Sequence, residues 1–420
     1  MRRCCVMILM CLVALVVSAQ NVKDALLRQG FENVAVNVSG DTLYAVIEDP
    51  RYRGTFRGAG EALKTMAREA PQCSHFELVV EEYMVPKVAV HATTDGTLWN
   101  VDVDYSTSSI GVAARQTDTE TESARKGWNA PSPYRLDVSK SIGKVDLTFY
   151  PLVWLDNHLL DKLYLYGVFL APALETTLWW GNRVTIQPIV PVANNYEKYS
   201  PDRRFQWGVV SVQQDIVNTG KWWARVAAGT FRTNRIGFNA NVGFRVSKNL
   251  DVSLVGNWTA TCENRWYEWH FGEEYGRYLH AKLDWFEPRT LLQVQLSVGQ
   301  FLYGDRGARI DVSRHFGEYV IGLYGVYTKG KNQEWMHGEH NAGFHFAIPF
   351  GGKSQYRKGY FRVKLPEYFD WEYSMVSNYE YAWESMGRTI KDRPDVNRSA
   401  HYWQADYIKR NLLRVLNGED

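Results

Sequence analysis

Ile236-Gly237-Phe238-Asn239-Ala240-Asn241-Val242-Gly243-Phe244-Arg245-Val246 puts Ile, Phe, Ala, Val, Phe and Val on one face of an extended chain and Gly, Asn, Asn, Gly and Arg on the other. A period of two is the signature of a strand with one oily and one polar face. The same split recurs with Leu292, Val294, Leu296 and Val298 against Gln293, Gln295, Ser297 and Gly299. It returns with Leu279, Ala281, Leu283 and Trp285 against His280, Lys282 and Asp284, and with Ala342, Phe344, Phe346, Ile348 and Phe350 against Asn341, Gly343, His345 and Ala347. Alternation alone also fits a soluble sandwich with one solvated face. Three features select a membrane barrel instead. The strands are about 9 to 12 residues long, the span of a tilted membrane-crossing strand. Aromatics gather near strand ends, at Trp179-Trp180, Trp222-Trp223, Trp266-Tyr267-Glu268-Trp269 and Trp285-Phe286, where interfacial girdles form. Connections such as Ser247-Lys248-Asn249 and Phe316-Gly317-Glu318 are short enough for an up-and-down meander.

A bilayer offers no water to satisfy backbone polar groups, so strands cross it only as a closed barrel. The expected fold is therefore mainly β: a transmembrane antiparallel β-barrel of about 12–14 strands, preceded by a small α/β periplasmic domain and followed by a short C-terminal helix. The mean hydropathy of −0.35 agrees, since half of every barrel strand is polar.

The 420 residues carry 48 Lys+Arg against 46 Asp+Glu, a balance that excludes a nucleic-acid partner held by bulk charge. Aromatics reach 14%, with 16 Trp and 25 Tyr, more than packing of a soluble domain requires. Arg2-Arg3, the apolar run Cys4 to Val17 and Val17-Ser18-Ala19 before Gln20 read as a cleaved secretory signal. The run is too short to cross a bilayer as a helix, and the bulky Met10 before Cys11 argues against a lipidated cysteine. Cleavage would leave Cys73 and Cys262, so no disulfide framework and no zinc spacing is expected.

Val22–Gln29 and Ala59–Ala70 read as helices, and Val34–Val38, Thr42–Glu48, Phe76–Glu82 and Val88–His91 as strands of the small domain. The expected organisation is a signal peptide at 1–19, the α/β domain at 20–95, a Ser/Thr/Asp/Gly-rich linker at 96–133 and the barrel at 134–378. A helical tail at 379–420 is expected against the barrel end or in its lumen, with Ala405, Ile408, Leu412 and Val415 on one face of a helix that begins after Ser399.

Ser297–Phe316, containing Gly304-Asp305-Arg306-Gly307 between two alternating strands, followed by Ala342–Phe350 with its Ile348-Pro349-Phe350 turn, resembles the YjbH family of bacterial outer-membrane proteins. Tyr52-Arg53 to Leu63 resembles the periplasmic region of the same family. The resemblance implies an outer-membrane barrel encoded with exopolysaccharide or capsule export genes. It covers the C-terminal half of a typical member; a barrel-like N-terminal half is expected to be absent, so a second barrel chain is an expected partner. No catalytic residue follows from the resemblance. On physical grounds Gly304, Asp305 and Gly307 suit a tight reversal, with positive φ at the glycines and an Asx-type hydrogen bond.

Strand parity makes Arg235, Asn239, Asn241, Arg245, His280, Lys282, Asp284, Arg309, Asp311 and His345 candidate lumen-lining residues, joined by Ser313. They can bind sugar hydroxyls or carboxylates, or close the lumen as Arg–Asp pairs. Arg235, Arg245, Lys282 and Arg309 bias it towards an anionic polysaccharide. His337, Glu339, His340 and His345 lack a metal-binding spacing, and Glu273-Glu274 with Asp284 reads as loop charge rather than a glycosidase pair. Three function classes remain: a non-enzymatic component of exopolysaccharide or capsule export, a structural or adhesive protein whose periplasmic domain docks envelope partners, and a glycan enzyme. Expected partners are outer-membrane lipid, an anionic polysaccharide, and a second barrel chain or a periplasmic export protein. No cofactor is expected.

Overall fold

The computed structural model describes residues 18–96, 98–125, 139–157, 162–197, 200, 203–232, 234–265, 268–330, 340–375, 386–394 and 402–418. The signal-peptide reading thus lies outside the described residues except at Ser18 and Ala19, as do His337, Glu339 and the side chains of Glu273 and Glu274. The chain forms two units: Met1–Lys144 with Lys353–Tyr360 and Ala405–Asp420, and Val145–Gly352 with Phe361–Gln404.

The first unit contains α1 (18–29), β1 (Glu32–Ser39), β2 (Thr42–Glu48), α2 (Thr55–Glu69), β3 (His75–Glu82), β4 (Val85–Thr94), β5 (Trp99–Asp104), α3 (Thr107–Arg125) and α4 (Ala405–Leu416). Its sheet runs β1-β2-β3-β4-β5, with β2 and β3 parallel and the other neighbours antiparallel. Helix α2 supplies the crossover that a parallel pair requires. Ala35, Val46, Val79 and Ala89 pack with Ile110 and Ala114 of α3, while the alternate residues Leu43, Ala45, Ile47, Phe76 and Leu78 are equally buried on the other face. Two boundaries therefore move. The expected linker at 96–133 holds β5 and α3, whose apolar positions Val101, Val103, Ile110 and Ala114 are buried despite the polar composition around them. The terminal helix, predicted from its apolar face, packs on α2 rather than on a barrel. Phe56 and Tyr407 meet edge-on at 6.2 Å, and a Cβ at Gly60 would sit 2.7 Å from Val415 Cγ1.

The second unit contains β6 (Val145–Asn157), β7 (Tyr164–Thr176), β8 (Asn182–Asn194), β9 (Gln206–Thr219), β10 (Trp222–Phe231), β11 (Arg235–Ser247) and β12 (Leu250–Arg265). It continues with β13 (Glu268–Glu287), β14 (Leu292–Gln300), β15 (Arg306–Phe316), β16 (Tyr319–Lys329), β17 (His340–Pro349), β18 (Phe361–Lys364) and β19 (Tyr368–Ser374). These make one 14-stranded sheet in the order β18-β6-β7 through β17-β19. Most neighbours are sequential antiparallel strands, as the short connections predicted; Ser247 pairs with Leu250 and Phe316 with Tyr319 across two-residue turns. Several strands exceed the expected length: β12 has 16 residues and β13 has 20, paired to each other out to Arg265 and Glu268.

The pattern is not wholly antiparallel. β18 pairs in parallel with the start of β6, Phe361 with Val145 through Lys364 with Thr148. Leu365-Pro366 then interrupts the strand, since proline lacks the N–H a ladder needs. β19 pairs antiparallel with β17, from Tyr368 with Pro349 to Ser374 with Gly343. The two ends of the sheet order are thus consecutive in sequence. Tyr373 Oη donates to Asn157 Oδ1 at 2.6 Å, and Asn157 Nδ2 donates to the Ser374 carbonyl at 3.2 Å.

Burial in this sheet is the reverse of a soluble protein's. Phe238 is 64% and Leu323 68% exposed, whereas Arg235 is 3% and His315 1% exposed. The exposed set extends along β7 to β17, through Val168, Leu170, Ile186, Val212, Val242, Leu254, Leu279, Ile310, Ile321 and Phe344, while β6 has no exposed side chain among its described residues. Trp179, Trp180, Trp222, Trp258 and Trp269 are exposed with them. Water normally leaves polar side chains outside; here the polar parity is the covered one. No helix among the described residues is long and apolar enough to cross a membrane, which says nothing of strands.

Candidate functional site

All ten residues picked by parity lie on the covered face: Arg235, Asn239, Arg245, His280, Asp311 and His345 are buried, and Asn241, Lys282, Asp284 and Arg309 half-buried. Strand register groups them. Asp311 accepts from His345 Nε2 at 2.9 Å and from Ser313 Oγ at 3.0 Å. Ser313 Oγ lies 3.5 Å from the same His345 Nε2. A serine–histidine–aspartate relay needs the hydroxyl and the carboxylate on opposite ring nitrogens, so this cluster is a polar tie and not that machinery.

Arg309 reaches across to β19, donating from Nη1 and Nη2 to the two Glu372 oxygens at 3.2 and 2.8 Å, and its guanidinium covers the Tyr324 ring at 4.1 Å. Arg362 and Asp146 form a forked pair, and Arg183 binds Glu175. Arg245 donates to the Gly220 carbonyl at 2.6 Å and to Asn218 Oδ1 at 3.2 Å, bracing the β9–β10 turn. Asp284 accepts from Gln293, Gln295 and Tyr402. The cationic bias seen in sequence is therefore offset: Glu372, Asp146 and Glu175 supply carboxylates on the same face, and parity could not foresee which partners the register would bring. Tyr150, Phe169, Ala171, Ala173, Ile189 and Tyr196 make that face apolar around β6–β8.

The Gly304-Asp305-Arg306-Gly307 turn needs a correction. Gly304 has φ +84°, as a reversal requires, but Gly307 lies within β15 opposite Gly299, where a Cβ would strike the Tyr327 carbonyl oxygen. Asp305 is buried; its carbonyl accepts from Phe301 N–H at 2.8 Å, and its Oδ2 accepts from Gly387 N–H at 2.8 Å. Its carboxylate thus holds the C-terminal segment, in addition to any turn role.

A second cluster, missed in the sequence, lies in the α/β unit. Register places Glu32, Glu48 and Glu81 side by side on β1, β2 and β3. Glu32 receives Lys144 Nζ at 2.6 Å and Arg357 Nη1 at 3.1 Å, and Glu81 receives Arg115 at 2.5 Å. Glu48 has neutral donors: Asn33, Ser141, and the N–H groups of Tyr83 and Met84 at 2.9 and 3.1 Å. Burial, then the Glu32 and Glu81 charges, push its carboxyl up to about 7. Tyr83 and Met84 both have positive φ, 53° and 65°, in a two-residue hairpin turn usually given to Asn-Gly, and Glu48 caps both amides. Nearby, the hydrogen bond to Glu77, with Asp104 on the other ring nitrogen, raises His91 to about 9. Among the described residues no group of three or more His, Cys, Asp or Glu is arranged to hold a metal ion.

The family model described as exopolysaccharide biosynthesis protein YbjH (YjbH) matches residues 14–357. A curated relative, the uncharacterized lipoprotein YjbH of Escherichia coli strain K12, is 20% identical over 350 residues, covering 76% of this chain and 48% of its own. The chain thus spans about half the length of that relative. No solved structure matches.

Proposed function

The chain belongs to the YjbH exopolysaccharide biosynthesis family, and from that premise we propose that it is a closed outer-membrane β-barrel serving exopolysaccharide or capsule export or assembly without chemistry of its own. The reversed burial of the large sheet carries this reading: an apolar exterior along β7 to β17 with exposed Trp suits lipid, and a largely polar covered face suits a lumen. Closure is supported at the seam. β18 and β19 are two pieces of one stretch, one bonded to β6 and the other to β17. The offset that sets Arg362 beside Asp146 also sets Tyr373 beside Asn157. An open edge in hydrocarbon would leave backbone groups unsatisfied at several kcal/mol each.

The short turns at Thr219–Trp222, Ser247–Leu250 and Phe316–Tyr319 share the rim where β6 begins and β17 ends. Outer-membrane barrels keep short turns on the periplasmic side, so the chain passes into its α/β unit from a periplasmic rim. In this reading the α/β unit serves to dock a periplasmic export protein, and a second barrel chain is a further candidate partner. The test is fractionation with the outer membrane, heat-modifiable gel migration, and loss of surface polymer on deletion; recovery in the soluble periplasm overturns the barrel. Extensive pairing on the polar face favours one second reading, an accessory that organises envelope partners. A deletion that abolishes partner recruitment and leaves polymer intact would select it.

A further inference from the structure

We propose that a groove on the outward face of β14–β16 binds a phosphorylated glycolipid of the outer leaflet, its phosphate held at Arg306 and an acyl chain laid in the groove below. This rests on the barrel reading above and adds a ligand for its lipid-facing side.

Strand register builds the site in rows. Leu279, Gln300, Arg306 and Lys329 stand opposite one another on β13 to β16, and the next outward row is Ala281, Val298, Ala308 and Tyr327. Bulk is missing between Val298 and Tyr327, where only Ala308 stands. A groove of about 640 Å³ opens there, with Leu279, Val298 and Tyr327 as its large side chains and Gly299, Gly307 and Ala308 as its floor. The floor is bare backbone for a steric reason. Gly299 and Gly307 pair with each other, Gly299 has φ +147°, and a Cβ on it would come within 2.5 Å of the Leu279 carbonyl oxygen. A Cβ at Gly307 would strike the Tyr327 carbonyl oxygen, so only glycine suits both places.

Positive charge sits at the end of the groove away from the short turns. Arg306 and Lys329 are exposed there, and Arg277 is exposed one outward position beyond Leu279 with its guanidinium over the Trp258 ring at 5.4 Å. Gln300 orients Arg306: its Nε2 donates to the Arg277 carbonyl at 2.7 Å, and its Oε1 accepts from Arg306 Nε at 3.3 Å. The guanidinium is thus held at one nitrogen and keeps its Nη groups for a forked contact with phosphate. The outward positions of β14–β16 include Arg306, Arg314 and Lys329 and no Asp or Glu, so these strands present no like charge to an anion.

In the barrel reading the short turns mark the periplasmic rim, which puts this cation row at the depth of outer-leaflet headgroups and the groove in hydrocarbon. An acylated sugar phosphate matches both parts, anion above and chain below. A second copy docked about an axis along the membrane normal would set Arg306 and Lys329 against their own counterparts, which like charge opposes.

The experiment uses full-length protein in neutral detergent, after heat-modifiable migration has confirmed a folded barrel. It is titrated with lipid A (a phosphorylated, acylated disaccharide), with dephosphorylated lipid A and with phosphatidylglycerol, and bound lipids are counted by native mass spectrometry. The native chain is expected to bind lipid A in preference to the other two. Arg306→Gln with Lys329→Gln should weaken that binding on the order of tenfold, since each surface cation adds to the attraction, and Ala308→Trp should fill the groove and abolish it. Arg314→Gln, an exposed cation at the opposite rim, should leave it unchanged. Equal binding of either comparison lipid, or an equal loss in Arg314→Gln, overturns the site. Lipid-free dimers that vanish in Ala308→Trp would give the groove to a second copy and overturn it as well. A chain that never shows heat-modifiable migration would instead overturn the barrel reading beneath it.

Discussion

The Arg362 guanidinium lies forked against the Asp146 carboxylate, Nε to Oδ1 at 3.0 Å and Nη2 to Oδ2 at 2.6 Å, both side chains buried. The pair stands where the only parallel pairing of the large sheet among the described residues joins its first long strand to a piece of its last. A two-point pair fixes register as well as proximity, and the same offset recurs at Tyr373 and Asn157.

Asp146→Ala is therefore expected to weaken the seam by about 3–5 kcal/mol, the cost of leaving a buried charge without its partner. The temperature at which the folded gel band disappears should fall clearly. Asp146→Asn with Arg362→Met, which removes both charges, should recover part of the loss. Equal behaviour of single and double variants would show that the pair does not hold the seam.

Glu48 gives a pH dependence with a definite sign. Its carboxyl is raised in the folded chain to about 7 from 4.5, so the folded state binds a proton more tightly than the unfolded state. That contribution is fully present below about pH 4.5 and is lost as pH rises through 7, an effect on the order of 3 kcal/mol. His91, raised to about 9 but partly exposed, adds a smaller loss between pH 6.5 and 9. Amide exchange of the Tyr83-Met84 turn, corrected for intrinsic rates, should accelerate from pH 5 to pH 7.5. Glu48→Gln should flatten that slope, and an unchanged slope would assign the pH response to another group.

Much of this was legible in advance and some was not, for physical reasons. Period-two alternation is a property of each strand by itself, so the polar parity of Arg235, His280 and Asp311 could be read without knowing any neighbour. What alternation cannot give is register, and register decides that Arg309 meets Glu372 while Arg245 braces the Gly220 carbonyl. The small unit hid two elements because β5 and α3 carry few apolar residues within a Ser/Thr/Asp-rich stretch. The glutamate row at Glu32, Glu48 and Glu81 hid because each lies alone in its own strand and meets the others through sheet pairing.

Gly60 marks the place where α4 settles on α2, since a Cβ there would come within 2.7 Å of Val415 Cγ1 and 3.3 Å of Leu412 Cδ1. Gly60→Leu should expel α4, because overpacking a close helix contact commonly costs 1–3 kcal/mol. Limited proteolysis should then cut within 405–418 in the variant and not in the native chain. Gly60→Ala, a smaller intrusion, should show partial protection. Native-like resistance in both variants would mean that α4 is held by contacts other than this one.

Arg309 and Glu372 allow a structural tie to be separated from polymer recognition. The pair bridges β15 and β19 over two intervening strands and is partly exposed, so its net worth is modest, roughly 0.5–1 kcal/mol. Arg309→Glu should place two carboxylates together, lowering both the heat-modifiable transition and the surface polymer. The swap Arg309→Glu with Glu372→Arg keeps the pair, the net charge and the face, but reverses the field at each position. Because the two groups neutralise each other, the swap should restore folding and polymer together. Restored folding with polymer still absent would instead show that the sign of charge at 309 is read by an anionic chain passing along this face.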